Sequence, residues 1–260
     1  MTEEVYQRVQ ASFGPKAHQY TISKGHADTE ELQRLVERVK PAKTDTMMDL
    51  GTGAGHTALA FAPFVARVVA IDVTPQMLEE VRRNAAARGI QNIVTKQGAA
   101  EALPCPDNSF ELVSCRLTTH HFADLPLALR EMARVLRPGG RLLIVDSIAP
   151  EDPELDRQVN QIEVLRDPSH VRNYRTSEWL QLVEEAGLKV VDYYPGVYDE
   201  GDKMDFDRWT ARIGTSPENV EALRQIFNTA SAGLREVFNV EVNGPVIRFT
   251  IPILTMIAQK

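Results

Sequence analysis

At 260 residues, with 43% hydrophobic and 25% charged positions, the chain has the make-up of a folded domain with a sizeable core. Its 29 basic residues against 36 acidic ones give a net charge of −7, which argues against a nucleic acid as substrate, because phosphates favour a basic face. Cys105 and Cys115 show neither metal spacing nor a disulfide framework, so a reducing cytoplasm is the expected setting. The acidic start, Met1-Thr2-Glu3-Glu4, has no apolar run behind it and predicts no secretory leader. No run approaches the ~18 apolar residues that span a membrane.

Residues 1–40 read as a polar leading segment with scattered aromatics (Tyr6, Phe13, Tyr20), closed by an amphipathic helix over Thr29–Val39. A strand then runs into Met47-Met48-Asp49-Leu50-Gly51-Thr52-Gly53-Ala54-Gly55, and a helix opens at His56 and reaches about Phe64. Glycines at 51, 53 and 55 let the backbone turn sharply and approach a ligand, and the helix start behind them offers unpaired N–H groups. Such a loop also serves dinucleotides, but two acids narrow its meaning. Asp49, two residues before the first glycine, would serve a pyrophosphate poorly and an ammonium group or its water shell well. Asp72 closes the strand Arg67–Asp72 at the sheet edge where an acid takes ribose hydroxyls. Together they describe a nucleoside with a charged amino-acid tail, as in S-adenosylmethionine (SAM).

The alternation continues. Thr74 and Pro75 open a helix that Gly89 stops, and strands are expected at Ile90–Lys96 and Phe110–Cys115. A helix over Asp124–Leu136 carries Leu129, Met132, Ala133 and Leu136 on one face, and Pro138-Gly139-Gly140 turns the chain into a strand at Arg141–Asp146. These βα units predict an α/β fold, a parallel, doubly wound Rossmann-like sheet. Ile148–Arg175, with Pro150, Pro153 and Pro168, reads as an insertion over the C-terminal edge of the strands. A helix over Thr176–Ala186 leads to a strand at Leu188–Tyr194. A charged stretch, Tyr198–Ser216, precedes a helix opened by Ser216 and Pro217, and Val246–Ala258 reads as one closing strand. The domain expected from this pattern is 41–260, with 148–175 and 198–238 as lid-like insertions. A homodimer through 198–238 is left open.

Further stretches carry a family resemblance: Gln97-Gly98-Ala99-Ala100-Glu101-Ala102-Leu103-Pro104, Ser109-Phe110-Glu111-Leu112-Val113-Ser114-Cys115-Arg116, His120-His121-Phe122, and Ala128-Leu129-Arg130-Glu131-Met132-Ala133-Arg134-Val135-Leu136-Arg137-Pro138-Gly139-Gly140. With the glycine loop, they make the chain similar to class I SAM-dependent methyltransferases, in the group that includes the ubiquinone/menaquinone C-methyltransferases. The match is strong over about 44–147 and looser outside it. It implies a seven-stranded sheet whose last strand is antiparallel, an N-terminal helical cap, SAM as cofactor, S-adenosylhomocysteine as product, and a small-molecule methyl acceptor.

On this resemblance the cofactor set is Asp49, Gly51, Thr52, Gly53, Gly55, Asp72, Val73, Met77, Ala99, Ala100, Glu101 and Arg116. Tyr20 joins it from Phe13-Gly14-Pro15-Lys16-Ala17-His18-Gln19-Tyr20, which resembles the segment where an aromatic closes over SAM. Met77 also has the spacing of a core residue. Ala99 stands where related sequences usually carry an Asp that accepts from the adenine amino group, so backbone amides at Ala100 and Glu101 would have to read the ring. The loss is worth roughly 0.5–1.5 kcal/mol. His120 or His121 is the candidate general base, and only one of two adjacent side chains is expected to face the substrate. Substrate contacts are expected from His26 and from His170, Arg172 and Tyr174 in the polar run Arg166–Tyr174; no metal site is expected. Two other readings compete. An NAD-type oxidoreductase fits G-x-G-x-G and Asp49 less well, and a non-catalytic SAM-binding scaffold gains some room from Ala99.

Overall fold

The protein is described here by a computed structural model covering residues 2–21, 29–198 and 202–260. Its leading segment comprises α1 (Thr2–Phe13), a 3-10 turn at Gly14–Lys16, α2 (Ala17–Thr21) and α3 (Thr29–Val39). The helix α3 buries Leu32, Leu35, Val36 and Val39, the stripe its periodicity predicts. Strands and helices then alternate as β1 (Thr46–Leu50), α4 (His56–Phe61), β2 (Arg67–Asp72), α5 (Pro75–Ala87), β3 (Ile93–Gln97), β4 (Phe110–Arg116), α6 (Leu125–Val135) and β5 (Leu136–Ala149). After β5 come α7 (Pro153–Arg166), β6 (Tyr174–Arg175), α8 (Thr176–Glu185) and β7 (Lys189–Tyr198). The chain ends with β8 (Met204–Asp205), α9 (Phe206–Ile213), α10 (Pro217–Asn228), α11 (Ala232–Val237), β9 (Glu241–Asn243), β10 (Val246–Phe249) and β11 (Ile251–Gln259).

Among the described residues, the central sheet takes the order β3-β2-β1-β4-β5-β11-β7, with β6 added beside β5. Pairings from β3 through β5 are parallel, and β11 runs antiparallel to both β5 and β7. The order reverses at β1, so the C-terminal ends of β1, β2 and β4 open a crevice, the place where α/β sheets receive ligands. A small sheet, β8-β10-β9, stands apart.

Several boundaries differ from the sequence expectation, each for a local reason. The strand expected at Ile90 starts at Ile93. Gly89 (φ +67°) and Ile90 still donate to Ala86 and Ala85 carbonyls and finish α5, while the Asn92 amide bridges the Ala62 and Val65 carbonyls. The strand β5 begins at Leu136 rather than Arg141, because Leu136 pairs with Phe110 and the Pro-Gly-Gly segment is held as an irregularity, Gly139 donating to the Lys260 carbonyl. The strand β7 runs on through Pro195 to Tyr198; at a sheet edge the missing proline N–H is tolerated. The expected single closing strand is two, split at Thr250, whose N–H turns to the Phe238 carbonyl. Thr74 stands at the α5 N-cap but supplies no side-chain cap there.

The C-terminal helices and the small sheet are welded by aromatic rings. Phe227 lies 4.8 Å from Phe249 and 5.7 Å from both Phe206 and Phe238, and Trp209 meets Phe249 edge-on at 5.0 Å. These rings belong to the same buried cluster as Met47 and Val68 of the central strands. Phe227→Ala should therefore destabilise the protein by about 3–5 kcal/mol. Urea unfolding followed by fluorescence and by far-ultraviolet dichroism should show one coincident transition at a lower midpoint, because the two sheets share a core.

Candidate active site

The glycine loop owes its shape to one buried carboxylate. Asp49 is 2% exposed; its Oδ2 accepts from Thr52 Oγ1 (2.6 Å) and the Ala58 N–H (3.1 Å), and its Oδ1 from Ser114 Oγ (2.6 Å). Burial pushes its pKa up, against those donors. The loop closes through Thr52 N–H to the Ile71 carbonyl, with Gly51 at φ +63°, where a Cβ would lie 2.4 Å from Thr118. Gly55, at φ +88°, is the N-cap of α4 and rests against Val81 of α5.

Asp72 organises the next turn. Its Oδ2 accepts from the Gly53 N–H (2.9 Å) and its Oδ1 from the Thr74 N–H (2.8 Å), leaving a lone pair on each oxygen for a ligand hydroxyl. Burial raises its pKa, too. Val73, Met77, Gly98 and Ala100 continue this wall of the cleft, which encloses about 1430 Å³ with its open mouth included. A Cβ built on Gly53 meets nothing within 4 Å, so a side chain there would take up cleft space. The donors, the acid and the space fit an adenosyl group. Ala99 lies off the lining and bridges to Ala102; Glu101 is turned to α6, where its Oε1 accepts from the Asp124 N–H.

The N-terminal segment roofs the cleft. His56 Nε2–H donates to the Tyr20 carbonyl (2.9 Å), and the Phe13 ring lies 5.3 Å from Tyr20 and 5.0 Å from His121. Gln10 donates to the Val73 carbonyl, and Lys16 Nζ to the Ile213 carbonyl. Arg116 faces the cleft but is paired with Glu31 of α3, 2.7 Å away, and is nearly buried rather than at the surface.

Both adjacent histidines reach the cleft, contrary to the expectation that only one would. A 3-10 turn over Thr119–His121 makes this possible, with ring centroids 4.2 Å apart. His120 Nδ1–H donates to Asp146 Oδ1 at 2.6 Å; a carboxylate only accepts, so the tautomer is fixed. Asp146 also collects the N–H groups of Thr118, Thr119 and Ser147. Burial disfavours charge on His120, but Asp146 outweighs it and holds the ring above the ordinary histidine value, while His120 in turn keeps Asp146 well below the carboxylate range. His121 Nδ1–H donates to the Ser169 carbonyl (3.0 Å); burial, and then the charge of His120, push it down. The two rings are therefore driven toward opposite protonation states.

Of the expected substrate residues, His26 lies outside the described residues. His170 is buried behind the cleft with its ring stacked on His120 at 5.2 Å, and Nε2 has no partner among the described residues. Arg172 is paired with Glu178 and Asp156, and Tyr174 packs on Trp179; neither lines the cleft. Glu163, Arg166, Asp167, Tyr198, Trp209 and Arg212 do line it, and the sequence reading named none of them as contacts. A signal existed: positions 163, 166 and 167 fall on one helical face, as do 209 and 212, but the prolines and charges of these stretches hid the helices. Among the described residues no group of three His, Cys, Asp or Glu side chains is arranged to hold a metal, and no helix is long and apolar enough to cross a membrane.

The chain is similar to known proteins in sequence and in fold. A model of the methyltransferase domain matches residues 48–144. The uncharacterized methyltransferase YcgJ of Bacillus subtilis is 38% identical over 231 residues, 89% of this chain and 90% of its own. Its crystal structure superposes with a TM-score of 0.82, covering 89% of this chain and 98% of that one at 35% identity. The uncharacterized protein YafE of Escherichia coli is 40% identical over 81% of this chain and 98% of its own. UbiE of Hahella chejuensis, a ubiquinone/menaquinone biosynthesis C-methyltransferase, is 32% identical over 57% and 69%. With this sheet order, this glycine loop and these relatives, the chain belongs to the SAM-dependent methyltransferase family.

Proposed function

We propose that the protein methylates a small-molecule acceptor of the phenol or quinol type, at carbon or oxygen. The observation that carries this reading is the His120–Asp146 pair, 2.6 Å apart, in the wall of the cleft whose other end holds the glycine loop and Asp72. Kinship with UbiE supports a quinol. The unpaired state of Cys105 and Cys115 supports work in the cytoplasm. In this reading residues 41–260 form the catalytic domain, and residues 1–40 with the 148–175 and 198–238 insertions form its cap.

Bound SAM supplies a methyl group already activated on a sulfonium sulfur. The chain has to align the acceptor with it, keep water out and take up a proton. Asp72 receives the ribose hydroxyls, Val73, Met77 and Ala100 flank the adenosine, and the Gly51–Gly55 loop with Asp49 and Arg116 faces the amino-acid tail. Phe13 and Tyr20 close the roof. His120 takes the acceptor's hydroxyl proton at Nε2 while Nδ1–H stays on Asp146, whose charge stabilises the imidazolium. His121, kept neutral with its proton on Nδ1, offers Nε2 as an acceptor only, for a different O–H or N–H of the substrate from the one His120 takes.

Incubation with SAM and a panel of phenols and quinols should give a product heavier by one CH2 in mass spectrometry; an exhaustive panel left unmodified by protein that binds SAM would contradict the reading. With the acceptor found, His120→Ala should lower kcat roughly 10²-fold or more, the usual contribution of a general base. The neutral ring is the active form, so kcat should fall as pH drops through a His120 pKa lying above the ordinary histidine value. In Asp146→Asn, the imidazolium loses its partner and this acidic limb should move to lower pH. A limb that stays in place in that variant would assign the proton transfer elsewhere.

A further inference from the structure

We propose that Glu163 of α7 is a specificity-determining residue for the methyl acceptor. Together with the indole N–H of Trp209, it hydrogen-bonds a second oxygen of the acceptor while His120 takes the proton of the first. The inference rests on the methyltransferase reading above and narrows its substrate class to molecules with two oxygen functions.

Glu163 shares the buried face of α7 with Val159 and Ile162 and is 5% exposed. A methionine there would fill the same space without the desolvation of a carboxyl group. A buried acid with a structural task shows its donors, and the other acids of the cleft lining do so. Asp49 accepts from Thr52, Ala58 and Ser114, Asp72 from Gly53 and Thr74, and Asp167 from the N–H and Oγ of Ser169. Glu163 also lines the cleft, yet its Oε1 has no partner among the described residues. Its Oε2 stands 3.8 Å from Arg166 Nη1, beyond the ~2.7–2.9 Å of a charge-assisted bond.

The backbone sets this side chain at the histidine end of the cleft. The Glu163 carbonyl accepts the Asp167 N–H (2.8 Å), and the segment that follows is tied twice to the histidine turn. His121 Nδ1–H donates to the Ser169 carbonyl (3.0 Å), and the Val171 N–H to the His120 carbonyl (2.8 Å). Arg166 ties the same turn of α7 to α9. Its guanidinium carbon stands 4.8 Å from the centre of the Trp209 ring, and its Nε–H donates to the Trp209 carbonyl at 3.4 Å. Trp209 is 2% exposed and lines the cleft, and its Nε1–H likewise has no partner among the described residues.

These groups ask for an oxygen. Burial favours the neutral carboxyl of Glu163 against the pull of Arg166. A neutral carboxyl donates and accepts, whereas an indole N–H only donates. A hydroxyl or carbonyl oxygen answers both. A hydrocarbon edge would leave both buried and unpaired, and a cation would face Arg166.

The test is anaerobic calorimetric titration of full-length protein saturated with S-adenosylhomocysteine, using phenols matched in shape. The pairs are hydroquinone and 4-methylphenol, 4-hydroxyacetophenone and 4-isopropylphenol, and naphthalene-2,6-diol and 6-methyl-2-naphthol. The member with the second oxygen should bind more tightly by about tenfold or more, because its partner leaves buried polar groups unpaired. Glu163→Met should cut this preference to about twofold or less, with the apolar member bound at least as tightly as by the native chain. Glu163→Gln, which can still donate, should keep the preference, and Trp209→Phe should keep part of it. Affinity for S-adenosylhomocysteine should be unchanged in all three. The thermal midpoint of Glu163→Met should not fall, since an unpaired buried carboxyl is removed. Equal binding within the pairs, no binding of any pair, or a preference that survives Glu163→Met overturns the inference and leaves the methyltransferase reading standing. So does a Glu163→Met chain that melts well below the native one or fails to fold, which would make Glu163 a structural acid. Failure of the native chain to bind S-adenosylhomocysteine would instead strike the methyltransferase reading itself.

Discussion

The cleft depends on aspartates placed at the C-terminal halves of parallel strands, each gathering donors of the loops that border the crevice. Asp49 in β1 is the node of this scheme, joining Thr52 of the glycine loop, the first turn of α4 and Ser114 of β4 through one buried carboxylate. Removing any one of those donors leaves a buried charge short of a partner, at a cost of about 1–3 kcal/mol. Asp72 does the same for Gly53 and Thr74, and Asp146 for Thr118, Thr119 and Ser147. The loops are set before any ligand arrives, so binding need not bear the entropy of ordering them.

In the proposed reaction, the same device separates the two chemical tasks of the cleft. At the cofactor end the carboxylates hold backbone, and leave lone pairs on Asp72 for hydroxyl groups. At the acceptor end, the carboxylate of Asp146 holds an imidazole, and through it fixes a tautomer. Because His120 is drawn toward the charged form and His121 toward the neutral one, adjacent residues of one type acquire different roles from their surroundings alone. The cap adds Arg166, Trp209 and Arg212 to the lining of the cleft.

Much of the fold was legible because its signals are local. Strand β2 and helix α3 fall where periodicity places them, and the antiparallel β11 follows the family resemblance. Boundaries were lost where a tertiary partner overruled a local breaker: Pro195 sits inside an edge strand, and Gly139 is held by the terminal Lys260. In the site, the glycine loop and both acids were readable, but the partner of His120 was not, since Asp146 lies 26 residues away and meets it only through the β4–β5 pairing. Asp49 lines the cleft, and what the sequence did not reveal is that its carboxylate also gathers three internal donors. In the insertion, the density of polar residues pointed to the right stretch and to the wrong end of it: Arg166 and Asp167 face the cleft while Arg172 and Tyr174 do not.

The central claim is that the sheet edge between β1 and β2 is an adenosyl site governed by Asp72. Isothermal titration with SAM, S-adenosylhomocysteine and NADH, on the native chain and on Asp72→Ala, tests it directly. The account predicts binding of both adenosyl ligands, none of NADH, and a loss of about tenfold or more in the variant, as expected when a charged acceptor of ligand hydroxyls is removed. Tight NADH binding, or adenosyl binding that ignores the substitution, would contradict it.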